Sequence, residues 1–475
     1  MPCPAGSPEF SPLGDTLDWW SRAARTSAIW WTRQGGRAAV DAVRAARFAA
    51  LVTFARERSP FYRDAYRSVS ERDIAAGRVP PVAKHDLMAR FDDWVTDRTV
   101  TRHAIAAFLA DRSHIGERYL DRYAVWKSSG STGVPGIFVH DAEAVATYDA
   151  LIAAQLAAPR FATAVAHGWL AQGGRSALIA ATGDHFASIV SWQRFFGARP
   201  WLDARSFSVL DSLPHLVAQL NAFRPAFLAS YPTMLALLAD EQRAGRLTID
   251  PAVLWAGGES LAPGVHASIE RTFDCPLANE YGASECMSIA WACAEGWLHV
   301  NADWVVLEPV DRDGQAVAPG DASHTVLLTN LANRVQPVIR YDLGDSIVVS
   351  PGPCACGNPM PAIRVEGRRD EVVSLVARDG RIVRLLPLAL TTLLEDVAGI
   401  DRFQLVQQAP DRLALRLAHG EPGERRAAWQ VAARVLGDYL AQQALANVAL
   451  VLDEREPVPD APSGKLRRVL IAVRH

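Results

Sequence analysis

WKSSGSTGVPG, residues 126–136, packs four small hydroxyl residues and three glycines into one short run. Glycines let the backbone approach a phosphate closely, and the hydroxyls of Ser128, Ser129, Ser131 and Thr132 can donate to its oxygens. The run is not the P-loop of nucleotide hydrolases, because no Lys-Ser/Thr pair follows a glycine at the required spacing, and the chain has no G-x-G-x-x-G dinucleotide fingerprint. By itself it reads equally well as a Ser/Gly-rich surface turn. Its neighbours decide between the two.

Around it, strands alternate with longer helical stretches as far as about residue 365, which predicts an α/β body. Phe48, Leu51, Val52 and Ala55 share the face of a helix that stops before Pro60. From residue 367 the texture changes. The short strands RLALRLA and NVALVL, with Leu413, Leu415 and Leu417 on one face, flank a helix whose Trp429, Ala432, Ala433 and Leu436 share a side. That is a small α+β module. The boundary falls at GRRDE, residues 367–371, where a glycine meets a charge cluster and few apolar residues could anchor a shared core.

The gross numbers agree. At 475 residues the chain exceeds the roughly 250–300 at which one core stops growing, so two or more domains are expected. With 49% hydrophobic and 21% charged residues it is globular, and a net charge of -3 gives no basic field for nucleic acid. No apolar run reaches the ~18 residues of a membrane span. The first residues lack the basic start and apolar stretch of a signal peptide, and the six scattered cysteines do not form a secreted disulfide framework. A reducing cytoplasm is the expected compartment. Only three of the 49 basic residues are lysines, Lys84, Lys127 and Lys465. An arginine-rich chain that places Lys465 in PSGKLRR, residues 462–468, invites a reason for the exception.

Further stretches carry chemistry. AGGES, residues 256–260, puts a glycine pair after an apolar segment, where a planar ring can lie on bare backbone. NEYGASE, residues 279–285, supplies an aromatic ring and Glu285, a carboxylate able to hold Mg²⁺ beside phosphates. RYDLGD, residues 340–345, ends in Asp345, which can accept both hydroxyls of a ribose. GRRD supplies Arg368 and Asp370. Each is weak singly, but their order is specific: SSGSTG, GGES, YGASE, RYDLGD, GRRD and SGK together resemble the adenylate-forming enzymes, and within them the phenylacetate-CoA ligase family. SPFYRDAY, VPPVAKHDLM and GWLHV resemble that family too.

The resemblance implies a large multilayer α/β N-terminal domain, residues 1–366, binding ATP and an acid. It also implies a small mobile α+β C-terminal domain, residues 367–475, hinged near Asp370. It implies an AMP-forming acid–thiol ligase that adenylates a carboxylic acid, releases pyrophosphate and passes the acyl group to coenzyme A. A carrier-protein phosphopantetheine or an amine as acceptor, or a non-catalytic nucleotide-binding relative, are the alternatives. Carried over by residue, Ser128, Ser129, Gly130, Ser131, Thr132 and Gly133 would hold the β and γ phosphates. Gly257, Gly258 and Glu259 with Tyr281 would flank adenine, and Glu280, Gly282, Ala283 and Ser284 complete that nucleotide site. Glu285 would bind Mg²⁺, Asp345 and Arg368 would grip the ribose, and Lys465 would swing over the reacting phosphorus. There a compact ammonium focuses charge better than an arginine fork.

Two departures from the family pattern stand out. Val134 occupies a position where many members have lysine, and LVARDGRIVRLLP replaces the glycine loop that faces the acceptor channel. Trp192, Tyr231, Trp255 and Gly257 are candidates for a pocket that takes an aromatic acid. CACG, residues 354–357, with Cys293 and His299, offers four ligands for a tetrahedral structural Zn²⁺, with buried free cysteines as the competing reading.

Overall fold

The computed structural model describes residues 12–128, 136–259, 261, 263–365, 373–385, 387–398, 400, 403–418, 422–458 and 468–472. Its first strands are β1 (Ala124–Lys127), β2 (Ile137–His140), β3 (Ser176–Ala180), β4 (Ala204–Ser208), β5 (Phe227–Ser230), β6 (Val253–Gly257) and β7 (Leu277–Ala283). Then come β8 (Cys286–Ala292), β9 (Leu298–Val300), β10 (Val305–Val310), β11 (Thr325–Asn330), β12 (Val338–Asp342), β13 (Ile347–Val349) and β14 (Ala362–Val365). The last are β15 (Val373–Val376), β16 (Ile382–Leu385), β17 (Phe403–Ala409), β18 (Arg412–Leu417), β19 (Ala449–Asp453) and β20 (Val469–Ile471).

A nine-stranded sheet, in the order β13-β14-β9-β8-β7-β6-β5-β3-β4, forms the centre. From β4 to β7 its pairs are parallel, and from β7 onward they are antiparallel. Parallel strands are buried on both faces, which is why β3 is buried at all five positions. The turn from β7 into β8 is tight. A Cβ on Gly282 would lie 2.0 Å from the Met287 carbonyl oxygen, so the register shift between Tyr281 and Ala283 requires glycine there.

The helix Gly36–Arg58 buries Phe48, Leu51, Val52 and Ala55, the face read from their spacing. It stops at Ser59, whose hydroxyl accepts from the Tyr62 N–H, with Pro60 opening the next helix where its missing N–H costs nothing. These side chains join a cluster with Trp94, Trp126 and Phe138, all three fully buried.

The C-terminal segment is α+β. Its four-stranded sheet runs β19-β18-β17-β20, with β17 antiparallel to β18 and the outer pairs parallel. Leu413, Leu415 and Leu417 are buried, as are Ala432 and Leu436 of the helix Pro422–Gln442. Each fully buried leucine contributes about 2 kcal/mol of apolar transfer. The buried cluster of the parallel sheet continues into Val373, Leu375, Leu390, Leu394 and Leu440. Gln443 Nε2 donates to the Leu210 carbonyl at 3.4 Å, and Arg384 pairs with Asp240. No described helix is long and apolar enough to cross a membrane.

Candidate functional site

A cleft of about 1430 Å³ opens at the carboxyl ends of β3, β5, β6 and β7. In open parallel sheets this is where ligands bind, because the strand ends and the loops after them converge there. The volume exceeds the ~300–1,000 Å³ typical of a single small-molecule site. Its walls include Ser128, Gly257, Gly258, Glu259, Glu280, Gly282, Ala283, Ser284, Glu285 and Asp345. Trp192, Tyr231 and Trp255 line it as well. Segments spread over more than two hundred positions of sequence thus meet around one cavity.

At one end lies the root of the Ser/Gly run. Ser128 N donates to the Gly136 carbonyl at 2.8 Å, and Gly136 N donates to Ser128 Oγ at 2.9 Å. Ser129, Gly130, Ser131, Thr132 and Gly133 lie outside the described residues, as do Arg368, Asp370 and Lys465. Lys84 Nζ donates to Ser128 Oγ at 3.1 Å and lines the cleft. No role was assigned to Lys84 from sequence, although it is one of three lysines and stands in the VPPVAKHDLM segment. Lys127 also lines the cleft, but its ammonium is engaged by Asp184. Arg468, three positions beyond Lys465, lines the same cavity.

Glu285 is buried just before β8, and its Oε1 accepts from the Tyr341 hydroxyl at 2.8 Å. Burial pushes its carboxyl up, while the Tyr341 hydroxyl and the Lys84 charge favour the ionised form. A carboxylate held by a donor and facing an oxygen-lined cavity is a suitable ligand for a hard divalent ion. Tyr341 lies on β12, and the loop that follows presents Asp345, so one strand delivers both groups.

Asp345 Oδ2 accepts from the Tyr281 hydroxyl at 2.8 Å. Strand alternation turns Glu280 and Gly282 to the cleft and Tyr281 to the other face. Tyr281 is accordingly not part of the lining and reaches the site through Asp345. β6 ends at Gly257, the strand end expected in AGGES. Gly258 has φ +82° and sits against Tyr231, whose ring a Cβ there would approach to 3.2 Å. Glu259 Oε2 accepts from the Thr233 N–H at 3.1 Å and its hydroxyl at 2.6 Å, at the N-terminus of the helix Pro232–Arg243, where a carboxylate meets the positive helix end.

The other end of the cleft is aromatic. Trp255 packs edge-on against Trp291 at 4.9 Å and against Phe227 at 6.0 Å between ring centroids. The Tyr231 hydroxyl accepts from the Ala181 N–H at 3.2 Å, and burial pushes that phenol up to about 12. Glu280 stands in this wall, paired in register with Gly257 on one side and Trp291 on the other. Burial pushes its carboxyl up to about 8 against the opposing effect of Ser288 and Trp255.

Away from the cleft, the ligand atoms of Cys293, His299, Cys354 and Cys356 all lie within 4.8 Å of one another. Cys293 Sγ is 3.7 Å from Cys354 Sγ, and Cys356 Sγ is 3.2 Å from His299 Nε2. Two thiolates on one tetrahedral ion at about 2.3 Å stand about 3.8 Å apart, so the sulfur spacing fits. His299 Nδ1 lies 3.0 Å from the Met360 carbonyl, the arrangement that holds Nε2 unprotonated toward an ion. None of the four lines the cleft, which fits a structural ion rather than a catalytic one.

This fold is shared with a solved CoA ligase. Among solved structures, 2-hydroxyisobutyryl-CoA ligase in complex with 2-HIB-AMP and CoA superposes with a TM-score of 0.53 at 22% identity, covering 91% of this chain and 89% of that one. No family model matches the chain. In sequence it is similar to the phenylacetate-coenzyme A ligase of Thermus thermophilus, 24% identical over 282 residues, which are 54% of this chain and 62% of that protein. Protein CapK of Staphylococcus aureus is 26% identical over 139 residues, 29% of either chain. The chain thus spans less than two thirds of the length of these curated relatives.

Proposed function

We propose that the chain is an ATP-dependent ligase that activates a carboxylic acid as its acyl-adenylate, releases pyrophosphate, and transfers the acyl group to coenzyme A. The observation that carries this reading is the convergence in one cleft of Ser128, the Gly257–Glu259 strand end, Glu285 and Asp345, beside an aromatic wall. Nucleotide binding and acid binding need two compartments that share a reacting centre, and a cleft with a polar end and an aromatic end supports that reading.

Asp345, oriented by Tyr281, would accept the ribose hydroxyls. Gly257 and Gly258 would give adenine a surface of bare backbone. The hydroxyls at 128–132 and the Lys84 ammonium would hold the triphosphate, with Lys84 taking the place of the cation that Val134 does not provide. Mg²⁺ held by Glu285 would neutralise phosphate charge. Lys465, by the resemblance, would face the phosphorus as its charge develops, on a C-terminal domain of residues 367–475 hinged near Asp370 with Arg368. Each contributes by fixing charge and geometry before the reaction rather than by forming bonds. The Cys/His cluster is assigned as a structural Zn²⁺ site, which suits a reducing cytoplasm.

Acid-dependent exchange of labelled pyrophosphate into ATP, with hydroxylamine trapping of the adenylate, tests the reading. Nucleotide binding without any acid-dependent exchange would overturn it and favour a non-catalytic relative. One observation supports a second acceptor. Within LVARDGRIVRLLP, residues 375–385 form a tight hairpin, β15 to β16, with Gly380 at φ +83°, instead of a glycine loop. Transfer to coenzyme A compared with transfer to a carrier-protein phosphopantetheine and to an amine distinguishes the acceptors.

A further inference from the structure

Glu280 is an anomaly in an otherwise apolar wall. It shares the cleft with Trp255, Phe227 and Met287, and its Oε1 is buried without a hydrogen-bond partner. The Ser288 hydroxyl and the Trp255 indole are the side chains that reach its carboxyl, and they leave Oε1 for a ligand. A carboxyl in such a place is costly unless something completes it. Rotation about χ3 is soft for glutamate, so either oxygen can be turned toward the cavity.

We propose that Glu280 is the specificity-determining residue for the acid, and that the substrate is an aromatic carboxylic acid bearing a hydroxyl or amino group which donates a hydrogen bond to Glu280. This rests on the adenylation reading and names the substrate class within it. Gly257, beside Glu280 in the sheet, presents no side chain, so a ring can lie against Trp255 with its edge at the carboxyl. With its carboxyl pushed up to about 8 by burial, Glu280 is largely protonated at neutral pH and can both give and accept a hydrogen bond. A site built around a buried polar group rejects the analogue that leaves it unpaired far more strongly than an apolar site rejects a missing methylene. Glu280 was assigned to the nucleotide from sequence; its place in the aromatic wall moves it to the acid.

The experiment is pyrophosphate exchange by the full chain with matched acids: benzoate against 3- and 4-hydroxybenzoate and 3- and 4-aminobenzoate, and phenylacetate against its hydroxyl derivatives. The wild-type enzyme is expected to favour at least one donor-bearing acid by ~30-fold or more in kcat/KM. Glu280→Leu should collapse that preference to about 3-fold or less, by slowing the donor-bearing acid and accelerating its unsubstituted partner, while the KM for ATP stays unchanged. Glu280→Gln, close in shape and still able to accept, should retain part of the preference. Exchange as fast with the unsubstituted acids as with their donor-bearing partners in the wild type overturns the role of Glu280 and leaves adenylation standing, a comparison that needs no variant to fold. Absence of exchange with every aromatic acid overturns the substrate class, and hydroxylamine trapping with aliphatic acids then shows whether adenylation falls with it.

Discussion

Replacing Lys84 by methionine keeps the length and most of the apolar contact of the side chain and removes its charge. In the structure Nζ sits 3.1 Å from Ser128 Oγ at the root of the hydroxyl-rich run. An ammonium about 4 Å from a phosphate charge, at an effective dielectric of about 20, gains about 4 kcal/mol before desolvation. A charge-assisted hydrogen bond nets about 1.5–3 kcal/mol. At about 1.4 kcal/mol per factor of ten, Lys84→Met should lower kcat/KM for ATP by about 10- to 100-fold. The KM for the acid should move less than about 3-fold, because on the proposed function the acid meets the other end of the cleft. Lys84 also favours the ionised form of Glu285. Lys84→Arg therefore serves as the control, restoring the charge on a wider fork that cannot reproduce the contact with Ser128. The assay is pyrophosphate exchange with ATP varied at saturating acid and the reverse. An unchanged kcat/KM for ATP in Lys84→Met, or equal losses toward both substrates, would refute the assignment.

Other outcomes follow from the same geometry. Lys465→Ala should slow adenylation by about 100-fold or more while still transferring from a supplied acyl-adenylate; unchanged pyrophosphate release removes that lysine from the mechanism. Protein purified without added metal should carry about one zinc per chain, and Cys356→Ser should lower both zinc content and melting temperature; a stoichiometry near zero dismisses the site. Gly282→Ala forces a Cβ to within 2.0 Å of the Met287 carbonyl oxygen, so it should destabilise the chain by about 3 kcal/mol or more in denaturant titration and disturb Glu285 with it. A variant as stable as the parent would mean that the turn can shift without cost.

Local pattern and tertiary pairing were not equally legible in the sequence. The faces carried by Phe48, Leu51, Val52 and Ala55, and by Leu413, Leu415 and Leu417, could be read because burial repeats with the period of the element. AGGES marked a strand end for a comparably local reason. By contrast, the contacts of Tyr341 with Glu285, Tyr281 with Asp345 and Lys84 with Ser128 each join residues more than forty positions apart. Nothing in spacing reveals such partners. The continuity of the apolar cluster past residue 367 was hidden for a similar reason, since it joins Val373 and Leu375 to residues of the parallel sheet far away in sequence. Glu280 shows the limit differently. Motif order placed it among nucleotide residues and could not reveal that it stands beside Trp255.

The lysines themselves connect these threads. In a chain whose cations are otherwise arginine, both described lysines line the cleft. Arginine's planar fork suits fixed carboxylates, as in the paired contacts of Arg194 with Asp149 at 2.7 and 3.2 Å. A nucleotide site has the opposite requirement, because triphosphate must enter, lose pyrophosphate and clear the cavity, and a guanidinium held by several parallel bonds would have to break them together. An ammonium on a flexible stem can follow a phosphate oxygen and exchange Ser128 for it, one bond at a time. Lys127 marks the boundary of the argument, since its ammonium is committed to Asp184 and serves the wall of the cleft. On the proposed function, Lys84 would stand on the triphosphate side and Lys465 would be the charge for the reacting phosphorus. On this reasoning Lys84→Arg should not match the wild type: ATP should bind nearly as tightly, and pyrophosphate release should become slower.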